Sequence, residues 1–471
     1  MKTDWAFPTK LRVLLASAAA VMSGNLVFTP TFVVAQGGVP LWTNVLPGAG
    51  GSIAVDTIGN VFVSAGGVVV KYSNAGLPLW TNMGGGAIAV DASGRAFVSG
   101  NGTIAYSSAG VPLWTNQLSG SAIAVDGNGQ VFVSSSSATA AYSNAGLPLW
   151  TNRYTDISQG PYKIAINSSG KVFVAGTMWN GSNNDYVSLA FSNTGVSLWT
   201  NRYSGPGNAY DSLVGLAADS SGNVFVTGSS SGFYATIKYS NEGVPSWTNR
   251  YNNSQWTPTD SASAIAVDGH GNVFVTGQSC APVGGGWPDY VTIKYSNVGV
   301  PLWTNRYDGL GQYSDYPSAI ALDSSGNVFV TGISMYDLPG SPRPADYATI
   351  AYSNQGTPLW VNAYGAPDPI NNWAKAIAVD SLGNVFVTGD SWANDGSHYC
   401  TTIKHSSSIP PPVNLGFQRL NNRLVLTWTN AGFGLQSAPS VTGPFTNITN
   451  ATSPYTNSLG APRQFFRLIS N

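Results

Sequence analysis

The sequence predicts an all-β fold made by repeating one four-stranded unit. Three observations point there: a composition hostile to helices, a motif that recurs along most of the chain, and complementary incomplete copies of it at the two ends. Only 9% of the 471 residues are charged, 20 Lys+Arg against 21 Asp+Glu, for a net charge of −1; an ordinary soluble domain carries about 25%. The hydrophobic fraction is 43%, and the deficit is filled by 55 Gly, by 12% aromatics and by Ser, Thr and Asn. Every acid except Glu242 is an aspartate. Glu and Lys favour helices, whereas Gly, Asn, Ser and Thr do not, so a helix-rich fold is excluded. Near-neutral charge without a basic patch removes the counterion release that drives nucleic-acid binding. No nucleic-acid partner is expected.

The fullest copy of the motif has four parts, each bounded by turn residues. Strand a is Ala264-Ile265-Ala266-Val267-Asp268, and strand b is Gly271-Asn272-Val273-Phe274-Val275-Thr276-Gly277. Strand c is Tyr290-Val291-Thr292-Ile293-Lys294-Tyr295, and strand d is Gly299-Val300-Pro301-Leu302-Trp303-Thr304-Asn305. The strand-d tryptophan recurs at Trp42, Trp80, Trp114, Trp150, Trp199, Trp247, Trp303 and Trp360. The acid ending strand a recurs at Asp56, Asp91, Asp126, Asp219, Asp268, Asp323 and Asp380, with Asn167 in its place once. These acids read as turn residues, because Asp accepts hydrogen bonds from N–H groups two residues on and the following Gly supplies φ > 0. The strand-d tryptophans read as wedges between neighbouring units.

The order of copies predicts closure. The first strand d, Pro40 to Asn44, precedes the first strand a, and the last a–b–c group, Ile377 to Ser406, runs into Pro410-Pro411-Pro412 without a strand d. If the N-terminal strand completes the last group, eight four-stranded blades close into a β-propeller without open ends. A seven-bladed ring is the alternative. The Ile-Ala-Val-Asp, Gly-Asn-Val-Phe-Val-Thr-Gly and Tyr-Ser-Asn-x-Gly segments, over residues 38 to about 406, resemble the β-propeller repeat of secreted bacterial proteins called the SBBP repeat. That resemblance implies the fold and no common chemistry.

At the N-terminus, Lys2, Lys10 and Arg12 precede an apolar stretch from Val13 to Met22, and Val33-Val34-Ala35 precede Gln36. This reads as a cleaved export signal over residues 1–35, giving a secreted, cell-surface or periplasmic protein. The apolar run is too short and interrupted to span a bilayer. The propeller is expected over 36–408 and a stiff linker over 409–412. Residues 413–471 are similar to small fibronectin-type-III-like modules, on Leu435-Gln436-Ser437-Ala438-Pro439, Gly443-Pro444-Phe445 and Phe465-Phe466-Arg467-Leu468. Cys280 and Cys400 fall in different units with no zinc spacing, so a bridge is disfavoured.

Function is sought on the b–c and d–a connections, which lie on one face and lengthen from the fourth unit onward. Of 15 tryptophans, eight belong to strand d, and Trp5 and Trp428 lie outside the repeats. The remaining five, Trp179, Trp256, Trp287, Trp373 and Trp392, all fall in or beside long connections. Near them are Tyr186, Asp289, Tyr290, Tyr313, Asp315 and Asp395. Flat aromatic faces beside carboxylates suit a glycan or an extended peptide; the plainer reading is that each tryptophan packs its own loop.

Catalytic signals are poor. Gly228-Ser229-Ser230-Ser231-Gly232 fits GxSxG but leads into no helix that would form a nucleophile elbow. Three histidines, His270, His398 and His405, leave little for a triad or a metal site. A glycosidase would need two loop aspartates, such as Asp185, Asp289, Asp315 or Asp395. The Gly-x-x-x-Trp turn is also similar to that of eight-bladed quinoprotein dehydrogenases, but their adjacent Cys pair and Glu-containing calcium site have no counterpart here. The reading is therefore an exported, monomeric, non-catalytic binding or surface-interaction protein without cofactor or metal. A polysaccharide-active hydrolase or lyase is one alternative and a purely structural protein the other.

Overall fold

A computed structural model describes residues 19–22, 25–28, 38–154, 159–207, 210–253, 260–280, 286–309, 313–336, 344–365, 369–393, 395–406, 416–420, 423–428, 433–438, 445–448, 451–458 and 465–470. Every regular element among them is a β-strand. No helix among the described residues is long and apolar enough to cross a membrane. The chain divides into two units, one of which is Gly38–Ser407.

That unit is a succession of antiparallel meanders, each with strands a to d. The first comprises Gly50–Val55, Val61–Ala65, Val68–Tyr72 and Pro78–Met83. Six such sets are separate four-stranded sheets. The seventh set opens with Asp315–Leu322 and ends with Pro358–Tyr364. A single parallel bridge, Ala345 to Asn371, joins it to the last group. That group is Pro369–Val379, Val385–Ala393 and His398–His405. Its strand d is the N-terminal Pro40–Pro47, which pairs antiparallel with His398–His405 from Pro40–His405 to Pro47–Tyr399. Strand a of each set adjoins strand a of the next, and Pro369–Val379 adjoins Gly50–Val55, so the order closes on itself.

The repeat residues explain this geometry. In each a–b turn one side-chain oxygen ties down the bend, a carboxylate in all but one: Asp56 Oδ1 accepts from Ile58 N (3.1 Å) and Asn60 N (2.8 Å), and Oδ2 accepts from Asn60 Nδ2 (2.8 Å). Asn167 does the same through Ser169 N and Lys171 N. In strand d the pairing jumps from Tyr72–Pro78 to Lys71–Trp80. This bulge turns Leu79 out to solvent and Trp80 inward. Each tryptophan then wedges between an aromatic of its own strand b and one from strand c of the next set, as Trp303 does between Phe274 and Tyr352. Its Nε1 donates to Asn354 O (3.0 Å), and Asn305 Nδ2 donates to Gly356 O (2.7 Å). Gly356 has φ +82°, and a Cβ there would lie 2.7 Å from Trp303 Cγ. The Gly of the Tyr-Ser-Asn-x-Gly turn is thus required twice, by backbone and by ring.

The strands of the first three sets have four to six residues, and those of later sets seven or more. Much of what the sequence suggests is long loop is strand extension, because these residues continue the two-residue alternation of the sheets. The fifth set departs furthest: its b–c link is the tight turn Ser231-Gly232, with Ser231 at φ 53°.

In the other unit, Ala19–Met22 pairs with Asn25–Phe28. Its C-terminal part has two three-stranded sheets. One contains Gly416–Leu420, Arg423–Thr427 and Tyr455–Ser458, the other Phe433–Ala438, Thr446–Asn447 and Phe465–Ser470. Leu424, Leu426, Trp428, Leu435 and Phe466 form their shared core. The linker at Pro410-Pro411-Pro412 lies outside the described residues. Cys280 and Cys400 are not bridged by a disulfide.

Candidate functional site

The two groups of tryptophans differ in exposure. Those of strand d are buried or half-buried. Trp179, Trp287, Trp373 and Trp392 are 51%, 48%, 43% and 38% exposed; Trp256 lies outside the described residues. Each indole thus packs in part against its own surroundings and leaves the rest of its surface to solvent. Three are on strands rather than in loops: Trp179 closes strand b of the fourth set, Trp373 is inside Pro369–Val379 and Trp392 is next to last in Val385–Ala393.

Trp373 and Trp392 belong to one patch. Trp373 pairs with Asp390, Asn371 with Trp392, and Trp392 with His398. Opposed residues share a sheet face, as do residues two apart on a strand, so both indoles, Asp390 and His398 project on the same side. The Trp392 and His398 rings stack at 3.8 Å and 17°. Beneath them Asp390 is buried and held by two groups, with a third close by. Lys375 Nζ is 2.6 Å from Oδ2, Gly50 N donates to Oδ1 (2.8 Å), and His398 Nε2 lies 3.4 Å from Oδ1. The patch is an exposed aromatic shelf over a fixed polar network.

A second cluster spans the sixth and seventh sets. Trp287 and Tyr313 face each other with ring centroids 6.1 Å apart. Beside them are Asp289, which opens strand c of the sixth set (Asp289–Tyr295), Asp308, which follows its strand d (Pro301–Tyr307), and Asp315, which opens the seventh set. One oxygen from each carboxylate lies within 4.8 Å of the others. Arg306 Nε donates to Asp289 Oδ2 (2.6 Å), and Gly309 N donates to Asp315 Oδ2 (2.6 Å). Burial pushes the Asp315 carboxyl up to about 6; the nearby Ser334 hydroxyl and the Gly309 N–H oppose the shift, and the charges of Asp289 and Asp308 add to it. Burial also raises Asp289, against the Arg306 contact.

Several expected site residues are elsewhere. Tyr186 and Tyr290 are fully buried and pack on Tyr203 and Tyr307 of strand d. They are core residues and cannot stack on a ligand. The sequence carried the signal: this tyrosine stands five residues before the second strand-c aromatic in Tyr290–Tyr295, Tyr234–Tyr239 and Tyr347–Tyr352 alike, a constancy that marks scaffold. Asp289 and Asp315 are likewise buried, so of the predicted carboxylates only Asp395 is exposed. Its Oδ1 accepts from Ser397 N (2.8 Å), and that bond together with the Ser397 hydroxyl holds the carboxyl below its usual range. Ser230, at the centre of the GxSxG match, is buried in strand b and accepts from Arg250 (2.8 Å); it is no nucleophile. Sequence reasoning missed Asp308, Asp390 and Lys375, which gain meaning only through strand register.

A family description of the β-propeller repeat, SBBP, matches residues 306–334 and 365–397. The chain is a β-propeller repeat protein. No curated protein is similar to it at a significant level. Among solved structures, it is similar to a protein of unknown function from Bacteroides caccae, at 13% identity and TM-score 0.34, over 59% of this chain and 98% of that one. It is also similar to the extracellular domain of a hybrid two-component system from B. thetaiotaomicron, at 12% identity and TM-score 0.39, over 83% and 57% of the two chains. The WD40 domain of Neurospora crassa Pan2 is similar at 10% identity and TM-score 0.44, over 79% and 97%.

Proposed function

We propose that this protein is an exported, monomeric, non-catalytic carbohydrate-binding β-propeller of eight blades, followed by a small fibronectin-type-III-like sandwich. The ligand lies on the edge formed by the b–c and d–a connections of blades four to eight. The observation that carries this reading is the exposure of Trp179, Trp287, Trp373 and Trp392 in a repeat that otherwise tucks its tryptophans between blades. Indole faces suit the apolar faces of sugar rings, and the polar groups beside them, Lys375 and His398 near Trp392 and Asp395 two residues beyond the Trp392–Ala393 strand end, can orient hydroxyls. The eight-blade count is supported by the pairing of Pro40–Pro47 with His398–His405.

The close acids Asp289, Asp308 and Asp315 raise the question of a glycosidase, whose retaining form places two carboxyls about 5 Å apart. Asp315 is wholly enclosed and Asp289 buried against Arg306. A general acid must reach the glycosidic oxygen, and Asp315 does not, so these acids are read as non-catalytic. The test is a glycan array probed with the mature protein and with a variant carrying Trp179→Ala, Trp287→Ala and Trp392→Ala together. Selective binding that the triple variant loses supports the proposal; no glycan bound, or binding unaltered in the variant, refutes it.

A further inference from the structure

We infer that Asp289, Asp308 and Asp315 form a divalent-cation site, suited to calcium, at the seam between the sixth and seventh blades. Three separate elements deliver these side chains to one point: the start of strand c, the end of strand d, and the start of the next blade's strand a. The seam is tied there by a backbone hydrogen bond from Asp315 N to Pro288 O (2.7 Å). One carboxylate oxygen from each aspartate lies within 4.8 Å of the others. Calcium takes oxygen ligands at roughly 2.3–2.6 Å, so oxygens on opposite sides of one ion are separated by about 5 Å at most. The three oxygens are therefore close enough for small side-chain rotations to bring them onto one ion.

The second observation is Asp315 itself. The residue is fully buried, and its Oδ1 is enclosed without a well-directed hydrogen bond, the Ser334 hydroxyl being the polar group near the carboxyl, while Oδ2 takes the Gly309 N–H. A buried anionic oxygen without a partner costs folding free energy, and a cation shared with Asp289 and Asp308 would relieve it. Arg306 is bound to Asp289 and to the carbonyl oxygens of Ser279 (2.8 Å) and Cys280 (3.4 Å), so it neutralises one of three negative charges. Asp308 is exposed, which leaves the site open to ions and water from solvent.

The fourth and fifth blades provide an internal comparison. Asp185 pairs with Arg202 (2.5 Å), Gly205 N donates to Asp211 Oδ2 (2.6 Å), and Asp211 Oδ1 is again enclosed without a partner. At the place of Asp308 in Arg306-Tyr307-Asp308-Gly309, however, Arg202-Tyr203-Ser204-Gly205 has a serine. Of these two seams, only the later one holds the third acid, and Asp308 is the residue that completes it.

The inference is independent of carbohydrate binding, and its test uses metal alone. Calcium is titrated calorimetrically into the full chain. Terbium is titrated in parallel with excitation of tryptophan, Trp287 being two residues from Asp289. The expected result is one site with a dissociation constant of about 1 mM or tighter, the range of extracellular calcium modules, and calcium displacing terbium. Asp308→Ser, which copies the fourth blade at an exposed position, should weaken binding at least about tenfold, and Asp315→Asn should do the same. Glu242→Gln, at an exposed turn, should leave it unchanged. Absence of binding at about 10 mM calcium would overturn the inference. So would equal binding by wild type and Asp308→Ser, or loss of binding in Glu242→Gln.

Discussion

His405 Nδ1 lies 2.9 Å from the carbonyl oxygen of Gly38, joining residues 367 positions apart. The carbonyl can only accept, so Nδ1 carries the proton. His405 occupies the place held by Tyr352 in the preceding set, packed on a strand-d tryptophan; its ring is 5.8 Å from Trp360. Gly38, at φ +78°, presses against the same indole as Gly356 presses against Trp303. The N-terminal strand is therefore held by backbone pairing, by the Trp360–Gly38 contact and by this one histidine.

The histidine makes the seam acid-sensitive. Burial pushes His405 from 6.5 down to about 4, with the Gly38 hydrogen bond partly opposing it. A depressed folded value means the unfolded chain takes the proton first. Stability is thus full above the unfolded value and falls as pH drops from about 6.5 towards 4, by roughly 3 kcal/mol in all. Denaturant melts at pH 7 and pH 4.5 should show this loss, and His405→Tyr should remove most of it. Equal pH dependence in the two proteins would refute the assignment.

Deleting residues 36–45 should remove most of the strand that completes the last set, uncovering the edge of His398–His405 and the buried Trp360. A single buried Trp→Ala change costs about 3–5 kcal/mol, and the deletion removes Trp42 as well as the pairing. The loss expected in a thermal or denaturant melt is at least that large. A melting temperature equal to that of the full chain would mean that closure does not depend on this strand.

The a–b turns should tolerate amide for acid but not deletion of the side chain. Asp323 Oδ1 accepts from Ser325 N (2.9 Å) and Asn327 N (2.8 Å). Asp323→Ala should cost about 1–2 kcal/mol, whereas Asp323→Asn, which copies Asn167, should cost less than about half of that. Urea melts of the two variants check the order; equal losses would mean that charge, rather than turn geometry, matters here.

The repeating scaffold was legible in the sequence because each element has a fixed chemical task. Asp56 and its counterparts close turns, Trp303 and its counterparts fill seams, and Gly356 and its counterparts make room for the rings; these tasks leave periodic marks. The pairing of Pro40–Pro47 with the last group was legible for the same reason, since an unfinished set at one end matched a spare strand at the other. The site was only partly legible. Tryptophans outside the period could be singled out, but Trp179, Trp373 and Trp392 looked like loop residues because strand extension depends on partner strands. Tyr290 looked available because it adjoins Asp289, although strand alternation turns it into the core. Asp308 meets Asp289 only through the register of strands c and d, Asp315 joins them only across a seam, and Asp390 meets Trp373 only through register, so no local pattern could announce them.

The most direct measurement compares wild type with a Trp373→Ala/Trp392→Ala variant, in affinity for an array-selected glycan and in melting temperature. Because both indoles are partly exposed on the sheet surface, the two melting temperatures should lie within about 2 °C of each other and the affinity should fall about tenfold or more. Unchanged affinity would contradict the binding role of these indoles. A collapse of stability in the variant would contradict it equally, by showing that these tryptophans hold the fold.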